Sequence, residues 1–186
     1  MDHYIDIKLM PDPEFPLPVL MNSLYSKFHK ALCDIRATRI GVSFPSHQKS
    51  LGNLLRLHAT AAELDTLMSR NWIGAMIGYC QISNILPVPP GVGYRTVSRR
   101  QPNMTSAKLR RLLKKGKITQ AEVNGYVAKM NGSTLDNPYL ELTSASSGHK
   151  YLRFIQLGPI TDTSVAGEFD QFGLSKTATI PWFTDS

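Results

Sequence analysis

Polar and apolar residues alternate at the start of the chain. Tyr4, Asp6 and Lys8 interleave with Ile5, Ile7 and Leu9, which predicts a half-buried strand over residues 3–10. Pro11, Pro13, Pro16 and Pro18 then enforce a turn. Leu20, Leu24, Phe28, Ala31 and Leu32 recur at helical spacing, so residues 19–35 form an amphipathic helix with His29 at the border of its apolar face. Residues 39–44 and 54–58 read as strands separated by a loop rich in Ser, His and Lys. A short helix over 61–69, with Glu63 and Asp65 early in it, precedes a segment over 72–82 that ends in another strand. The order strand, helix, strand, strand, helix, strand is ferredoxin-like, the order of the RRM, a fold widely used to bind RNA on or beside its sheet.

Pro87, Pro89, Pro90, Gly91 and Gly93 cluster within residues 86–93 and mark a natural boundary. It divides the chain into residues 1–90 and 91–186. In the second part the pattern predicts helices over 108–117 and 120–130, the latter capped by Thr119. Strands over 139–143 and 150–157 are joined by Ser144, Ala145, Ser146, Ser147 and Gly148, and a last strand or strand pair lies around 169–183. The expected fold class is therefore α+β. A ferredoxin-like (RRM-like) N-terminal domain is followed by a part with an arginine- and lysine-rich helix and a small antiparallel sheet.

Charge changes this picture from a fold to a function. No Asp or Glu occurs between Thr66 and Gln120, yet Arg95, Arg99, Arg100, Lys108, Arg110, Arg111, Lys114, Lys115 and Lys117 all lie there. Without those nine, twelve cations face fourteen acids, so the formal net charge of +7 belongs to this block. On a helix, Leu109, Leu112 and Leu113 share one face and the cations cover the opposite half. Thr105 or Ser106 can cap its start, and Gly116 lies near its end. A face that only needed solubility would mix Glu with Lys at i,i+4 to relieve repulsion. The block therefore points to a polyanion, with nucleic acid as the leading partner, bound by counterion release.

Other function classes recede. The longest apolar runs, such as residues 72–77, are too short to span a bilayer, and Met-Asp-His-Tyr does not open a signal peptide. A cytoplasmic protein with no membrane partner is the default expectation. Cys33 and Cys80 are isolated, so neither a disulfide framework nor a metal knuckle is suggested. There is no Walker loop, HExxH, GxSxG or carboxylate cluster for catalytic Mg²⁺, and no metal or small-molecule cofactor is expected. RNA can be cut without a metal, because its own 2′-hydroxyl can attack the adjacent phosphate once a base takes the proton. Histidine suits that base near neutral pH. His3 and His47 read as surface residues, His58 and His149 lie in strand-like contexts, and His29 stands on a rigid helix outside its apolar stripe.

Several motifs carry a family resemblance. They are Met-Asp-His-Tyr-Ile-Asp-Ile-Lys-Leu at residues 1–9, Pro11-Asp12-Pro13-Glu14-Phe15-Pro16, Lys27-Phe28-His29 and Arg39-Ile40-Gly41-Val42-Ser43-Phe44-Pro45. Further along come Tyr94-Arg95, Val97-Ser98-Arg99, Phe172-Gly173-Leu174-Ser175-Lys176 and Pro181-Trp182-Phe183. Together these resemble the type I-F CRISPR repeat-processing endoribonucleases along essentially the whole chain. The resemblance implies an enzyme that binds the repeat hairpin of a CRISPR precursor transcript and cuts once at the 3′ base of the stem. It also implies retention of the guide RNA and association with the subunits of a type I-F surveillance complex.

The resemblance assigns roles residue by residue. His29 falls on the histidine that removes the 2′-hydroxyl proton without a metal. Ser144 matches the serine that holds the attacking ribose, and Ser146 a neighbour lining the same site. From the residues alone, Ser144 reads first as part of an ordinary polar hairpin turn. Tyr151 falls where an aromatic stacks beneath the last base pair, a role any π-face can serve; alternatively it is a packed strand residue. Arg99 and Gln101 match a pair that reads purine edges, for which their types are suited. The helix bearing Lys108, Arg110, Arg111, Lys114 and Lys115 matches the family's arginine-rich helix, which lies in the hairpin's major groove. Phe172 lines the site where the family's best-studied pattern has tyrosine, so a phenol hydroxyl is lost there. Several of the family's helix arginines are lysine or leucine here, which softens bidentate phosphate clamping.

Two other classes share the basic helix. One is a subunit that binds an RNA hairpin without cutting it. The other, helix-turn-helix DNA binding, fits poorly, because the second, groove-reading helix would carry only Lys129 as a cation.

Overall fold

The alternation at the N terminus becomes β1 (His3–Leu9). Ile5, Ile7 and Leu9 are buried on one face, and Tyr4, Asp6 and Lys8 occupy the other. In this computed structural model, which describes residues 1–101, 106–132, 135–144 and 147–184, β1 is the centre of the largest sheet. β2 (Gly41–Ser43), β3 (Leu54–Ala59) and β4 (Cys80–Ile82) complete it in the order β2-β3-β1-β4. The pairings are antiparallel, with Ile5 opposite Leu57 and Ile7 opposite Ile82.

α1 (Leu17–Ile35) packs on the apolar face through Leu20, Met21, Leu24, Tyr25, Phe28, Ala31 and Leu32. It begins two residues before the expected start because Pro18 lies in its first turn, where a missing N–H leaves no helical bond unmade. α2 (Ala61–Met68) opens with a capping box: Thr60 Oγ1 accepts from the Glu63 N–H, and the Glu63 carboxylate accepts from the Thr60 N–H. A 3₁₀ turn, Gly74–Tyr79, leads into β4.

The boundary segment is tied to this sheet rather than free of it, since β5 (Leu86–Pro87) pairs with the start of β1. β6 (Gly93–Arg95) pairs with β10 (Ile180–Trp182), and β7 (Val97–Arg100) joins a third sheet. That sheet has the order β7-β9-β8, where β8 (Tyr139–Thr143) and β9 (Lys150–Leu157) keep the expected bounds. Two expectations shrink. The strand over 39–44 is confined to β2, and residues 169–183 yield only β10, because the chain between Phe169 and Thr179 is spent on turns. The buried cluster runs through both parts, joining Ile5, Phe28 and Leu57 to Val97, Leu140, Ile155, Phe169 and Ile180.

The basic segment forms α3 (Ser106–Lys114). Its end is fixed by Gly116 at φ 63°, with the Lys117 N–H bonded to the Leu112 carbonyl and the Gly116 N–H to the Leu113 carbonyl. Lys108, Arg110, Arg111, Lys114 and Lys115 are exposed, and Leu109, Leu112 and Leu113 are half-buried. Thr105, one of the two expected caps, lies outside the described residues. α4 (Val123–Gly132) follows a 3₁₀ turn, Gln120–Glu122, at whose start the Glu122 carboxylate accepts from the Thr119 N–H and hydroxyl. Among the described residues no helix is long and apolar enough to cross a membrane.

Candidate active site and nucleic-acid interface

α1 presents His29 on the flank of its buried face, and the turn at residues 170–174 closes over it. His29 Nδ1–H donates to the Gln171 carbonyl at 2.6 Å. A carbonyl oxygen can only accept, so Nδ1 carries the ring proton and Nε2 keeps its lone pair. The imidazole lies flat on Phe172, with ring centroids 3.6 Å apart and planes 9° from parallel. The Cys33 thiol, one turn further along α1, donates to Gln171 Oε1 at 3.3 Å. Burial, and secondarily Asp34, push that thiol upward, so it stays a donor.

The turn itself is over-determined. Asp170 Oδ1 accepts from the N–H groups of Phe172 and Leu174 at 2.9 and 3.0 Å. Gly173 adopts φ +69°, and a Cβ there would meet Phe28 at 3.2 Å and the Ile40 carbonyl at 3.3 Å, so glycine is required for both angle and space. Its carbonyl accepts from the Val42 N–H, tying the turn to β2. From beneath, the fully buried Tyr25 hydroxyl donates to the Phe172 carbonyl at 2.6 Å. Burial raises the Tyr25 phenol well above its ordinary range and keeps it protonated. The face of Phe172 also receives Arg153 of β9, whose guanidinium carbon is 3.4 Å from the ring centroid.

The β8–β9 hairpin reaches this region from the side. Asn22 Oδ1 accepts from the Glu141 N–H at 3.0 Å, and Asn22 is two turns before His29 on the same flank of α1. Ser144 heads the connecting turn: its N–H donates to the His149 carbonyl, and its own carbonyl accepts from the Gly148 N–H. Ser146 lies outside the described residues. Tyr151 is half-buried against the core, with the Arg153 guanidinium 5.9 Å from its ring.

Arg99 on β7 and Gln101, just past the strand's end, face each other. With its amide oxygen turned to the guanidinium, Gln101 accepts from Arg99 Nη1 and Nη2, both at 3.1 Å. Burial, and then the neighbouring Arg153, lower the Arg99 pKa. The cations of α3 supply the remaining positive surface, with no acid in the helix to offset them.

A model of the family described as CRISPR-associated protein (Cas_Csy4) matches residues 4–183. The chain belongs to this family. It is 41% identical over 184 residues to a CRISPR-associated endonuclease Cas6/Csy4 of Escherichia coli (strain UTI89 / UPEC), covering 98% of this chain and 100% of the relative. A second Cas6/Csy4 endonuclease, from Pseudomonas aeruginosa (strain UCBPP-PA14), is 40% identical over 187 residues with the same coverage. A solved structure of CRISPR endoribonuclease Cse3 bound to 19 nt RNA aligns with 97% of this chain and 100% of its own, at 15% identity and a TM-score of 0.36.

In this Cas_Csy4 chain, His29 and Phe172 form one contacting pair and Arg99 and Gln101 another. The other histidines have different surroundings. His58 is fully buried, with Nε2 2.8 Å from Ser43 Oγ, and burial followed by Arg56 pushes it down to about 3. His47 is half-buried and donates to the Phe44 carbonyl. The sheet face turned away from α1 is occupied by Arg56, paired in bidentate fashion with Asp6 at 2.6 and 2.7 Å and stacked 3.9 Å from the Phe183 ring centroid. Sequence reasoning overlooked Tyr25, Gln171, Asp170 and Arg153. The first three act through a hydroxyl, through backbone and amide oxygens, or through a carboxylate that caps a turn, none of which leaves a periodic pattern. Arg153 did leave one, as a cation at an inward position between Tyr151 and Ile155 on a period-two strand.

Proposed function

We propose that this protein is a CRISPR-associated endoribonuclease that binds the repeat hairpin of precursor CRISPR RNA and cuts at the 3′ base of the stem, without a metal. The observation that carries this reading is the tautomer of His29. Nδ1 is committed to the Gln171 carbonyl at 2.6 Å, so in the neutral imidazole the lone pair of Nε2 is the group able to take the 2′-hydroxyl proton. The 2′ oxygen attacks the adjacent phosphorus, the bond to the 5′ oxygen breaks, and the products are a 2′,3′-cyclic phosphate and a 5′-hydroxyl. Phe172 holds the imidazole by stacking and has no hydroxyl with which to donate a proton.

The other roles are those the family resemblance implies. Ser144 orients the attacking ribose, Ser146 lines the same site, and Tyr151 supports the last base pair. Arg99 and Gln101 read purine edges, and Lys108, Arg110, Arg111, Lys114 and Lys115 of α3 grip the phosphates in the hairpin's major groove. The strand order β2-β3-β1-β4 with two crossover helices supports reading residues 1–90 as a ferredoxin-like domain that carries the base. Residues 91–186 then form the part that grips RNA. The mature guide stays bound, and the protein joins subunits of a type I-F surveillance complex.

His29→Ala tests this reading against a hairpin-binding subunit that does not cut. Cleavage of the repeat hairpin is expected to disappear in the variant while hairpin affinity stays within about threefold. A 2′-deoxyribose just upstream of the cut should likewise stop the wild-type enzyme, and EDTA should not. Cleavage retained by His29→Ala would overturn the mechanism.

A further inference from the structure

Arg153 is 5% exposed. Its Nε is enclosed with no hydrogen-bond partner, and among the described residues no hydrogen bond or ion pair holds its other nitrogens. A buried cation is ordinarily paired, and a buried donor without a partner requires an explanation. The stack on Phe172 does not supply one, because an aromatic face is a weak substitute for a hydrogen-bond acceptor at the enclosed Nε–H. Asp170 Oδ1 is already shared by two backbone N–H groups. Arg99 adds a second guanidinium close enough for Arg153 to depress its pKa. Two neighbouring guanidiniums with one carboxylate, Asp170, acting on them leave an excess of positive charge that an anion would balance.

Its position says which anion. His29 and Arg153 lie 3.6 and 3.4 Å from the centroid of Phe172. Two groups at those distances cannot share one face of a benzene ring, so the imidazole and the guanidinium sandwich it. The imidazole and the guanidinium are thus separated by one ring. In 2′-hydroxyl attack, the oxygen losing its proton and the phosphorus receiving it belong to adjoining groups, so a base and a phosphate-binding cation are needed at about this spacing.

Resting on the reading of His29 as the base, we propose that Arg153 is a catalytic residue whose guanidinium hydrogen-bonds the non-bridging oxygens of the scissile phosphate. The 2′ oxygen bonds to phosphorus as its proton passes to His29 Nε2. The bond from phosphorus to the 5′ oxygen breaks, that oxygen takes a proton from water, and the imidazolium neutralises the hydroxide left behind. Negative charge gathers on the two non-bridging oxygens during the step, and the Arg153 guanidinium meets it.

The test is single-turnover cleavage of a synthetic hairpin with the repeat sequence of the CRISPR array in the same genome. Arg153→Met keeps an unbranched side chain able to stack on Phe172 and removes the charge. It should lower the cleavage rate by about 10²–10³-fold, with hairpin affinity within about threefold and an unchanged thermal midpoint. Arg153→Lys should recover part of the rate. Substrates with sulfur at one or the other non-bridging position provide a readout that packing alone would not move. One diastereomer should be cut slowly by the wild type and show no further slowing in Arg153→Met. A near-wild-type rate in Arg153→Met, or a sulfur effect of full size in that variant, would overturn the assignment. If Arg153→Met does not fold, equal cutting of both diastereomers by the wild type would overturn it as well. Failure of the underlying reading looks different, since His29→Ala or the 2′-deoxy hairpin would then still be cut.

Discussion

Tyr25→Phe removes a single oxygen from beneath the candidate site. The Tyr25 hydroxyl is enclosed and donates to the Phe172 carbonyl at 2.6 Å. Its ring contacts, with centroids 5.8 Å from Phe28, 5.9 Å from Phe44 and 6.3 Å from Phe172, would be kept by phenylalanine, so no cavity opens. What is lost is one hydrogen bond, and a partly buried carbonyl is left without a donor, which costs about 1–2 kcal/mol. For a chain of this length that is a fall in Tm of about 2–4 °C per kcal/mol. The same carbonyl belongs to the residue on which His29 stacks, so a loosened turn misaligns the imidazole. A single-turnover rate about tenfold lower is expected, because small displacements of a positioned base are felt strongly. Hairpin affinity should not change, as no RNA-gripping cation is touched. Urea unfolding followed by circular dichroism reads the first effect, and rapid-quench cleavage at saturating enzyme the second. A variant with wild-type midpoint and wild-type rate would refute the claim that α1 holds the turn through this hydroxyl.

Two other expectations concern separate parts of the molecule. His58 has a folded pKa of about 3 against an ordinary 6.5, so between those values the unfolded chain binds the extra proton. Stability attributable to this neutral, buried ring is therefore complete above pH 6.5 and declines as pH falls, by up to ~1.4 kcal/mol per pH unit. Comparing urea midpoints of wild type and His58→Gln at pH 7 and pH 5 isolates it, and equal pH dependence in the two proteins would contradict it. On α3, neutralising Arg111 and Lys115 together should weaken hairpin binding and reduce the slope of log K against log salt by about 1.5. Sequencing the product ends should find the cut in its original place; a displaced cut would mean that α3 sets the scissile position and not only affinity.

The elements that sequence periodicity made legible are those whose own residues create a face. β1, α1, β8 and β9 announce themselves because Ile5, Ile7 and Leu9, or Leu20, Leu24 and Phe28, bury one side against water. β6, β7 and β10 are short and take their partners from distant parts of the chain, such as Ile180 opposite Arg95. Their formation depends on pairing that no local pattern records. The site divides in the same way. His29 was visible as a histidine beside an apolar stripe, and α3 as a helix without acids. The tautomer of His29 depends on the Gln171 carbonyl, 142 positions away, and a backbone oxygen looks the same at every residue. The lone arginine on the inward face of β9 was the one missing part with a signature of its own.

Under the proposed assignment of Arg99 and Gln101 to purine edges, their pairing bears on selectivity. In the free protein the Gln101 oxygen occupies both terminal nitrogens of the guanidinium, so the purine-reading edge of Arg99 is already bonded. RNA must exchange that pair for base contacts. A guanine edge offers two acceptors in the right geometry for Arg, and an adenine edge returns a donor and an acceptor to the released Gln amide. A base that supplies fewer acceptors leaves one of the two side chains unpaired, in a place where Arg99 is already partly desolvated and close to Arg153. Discrimination then comes from the bonds a wrong base fails to replace rather than from those a right base adds. On that assignment selectivity rests with Arg99 and Gln101, and the charge of α3, proposed to grip the phosphate backbone, need not itself be selective.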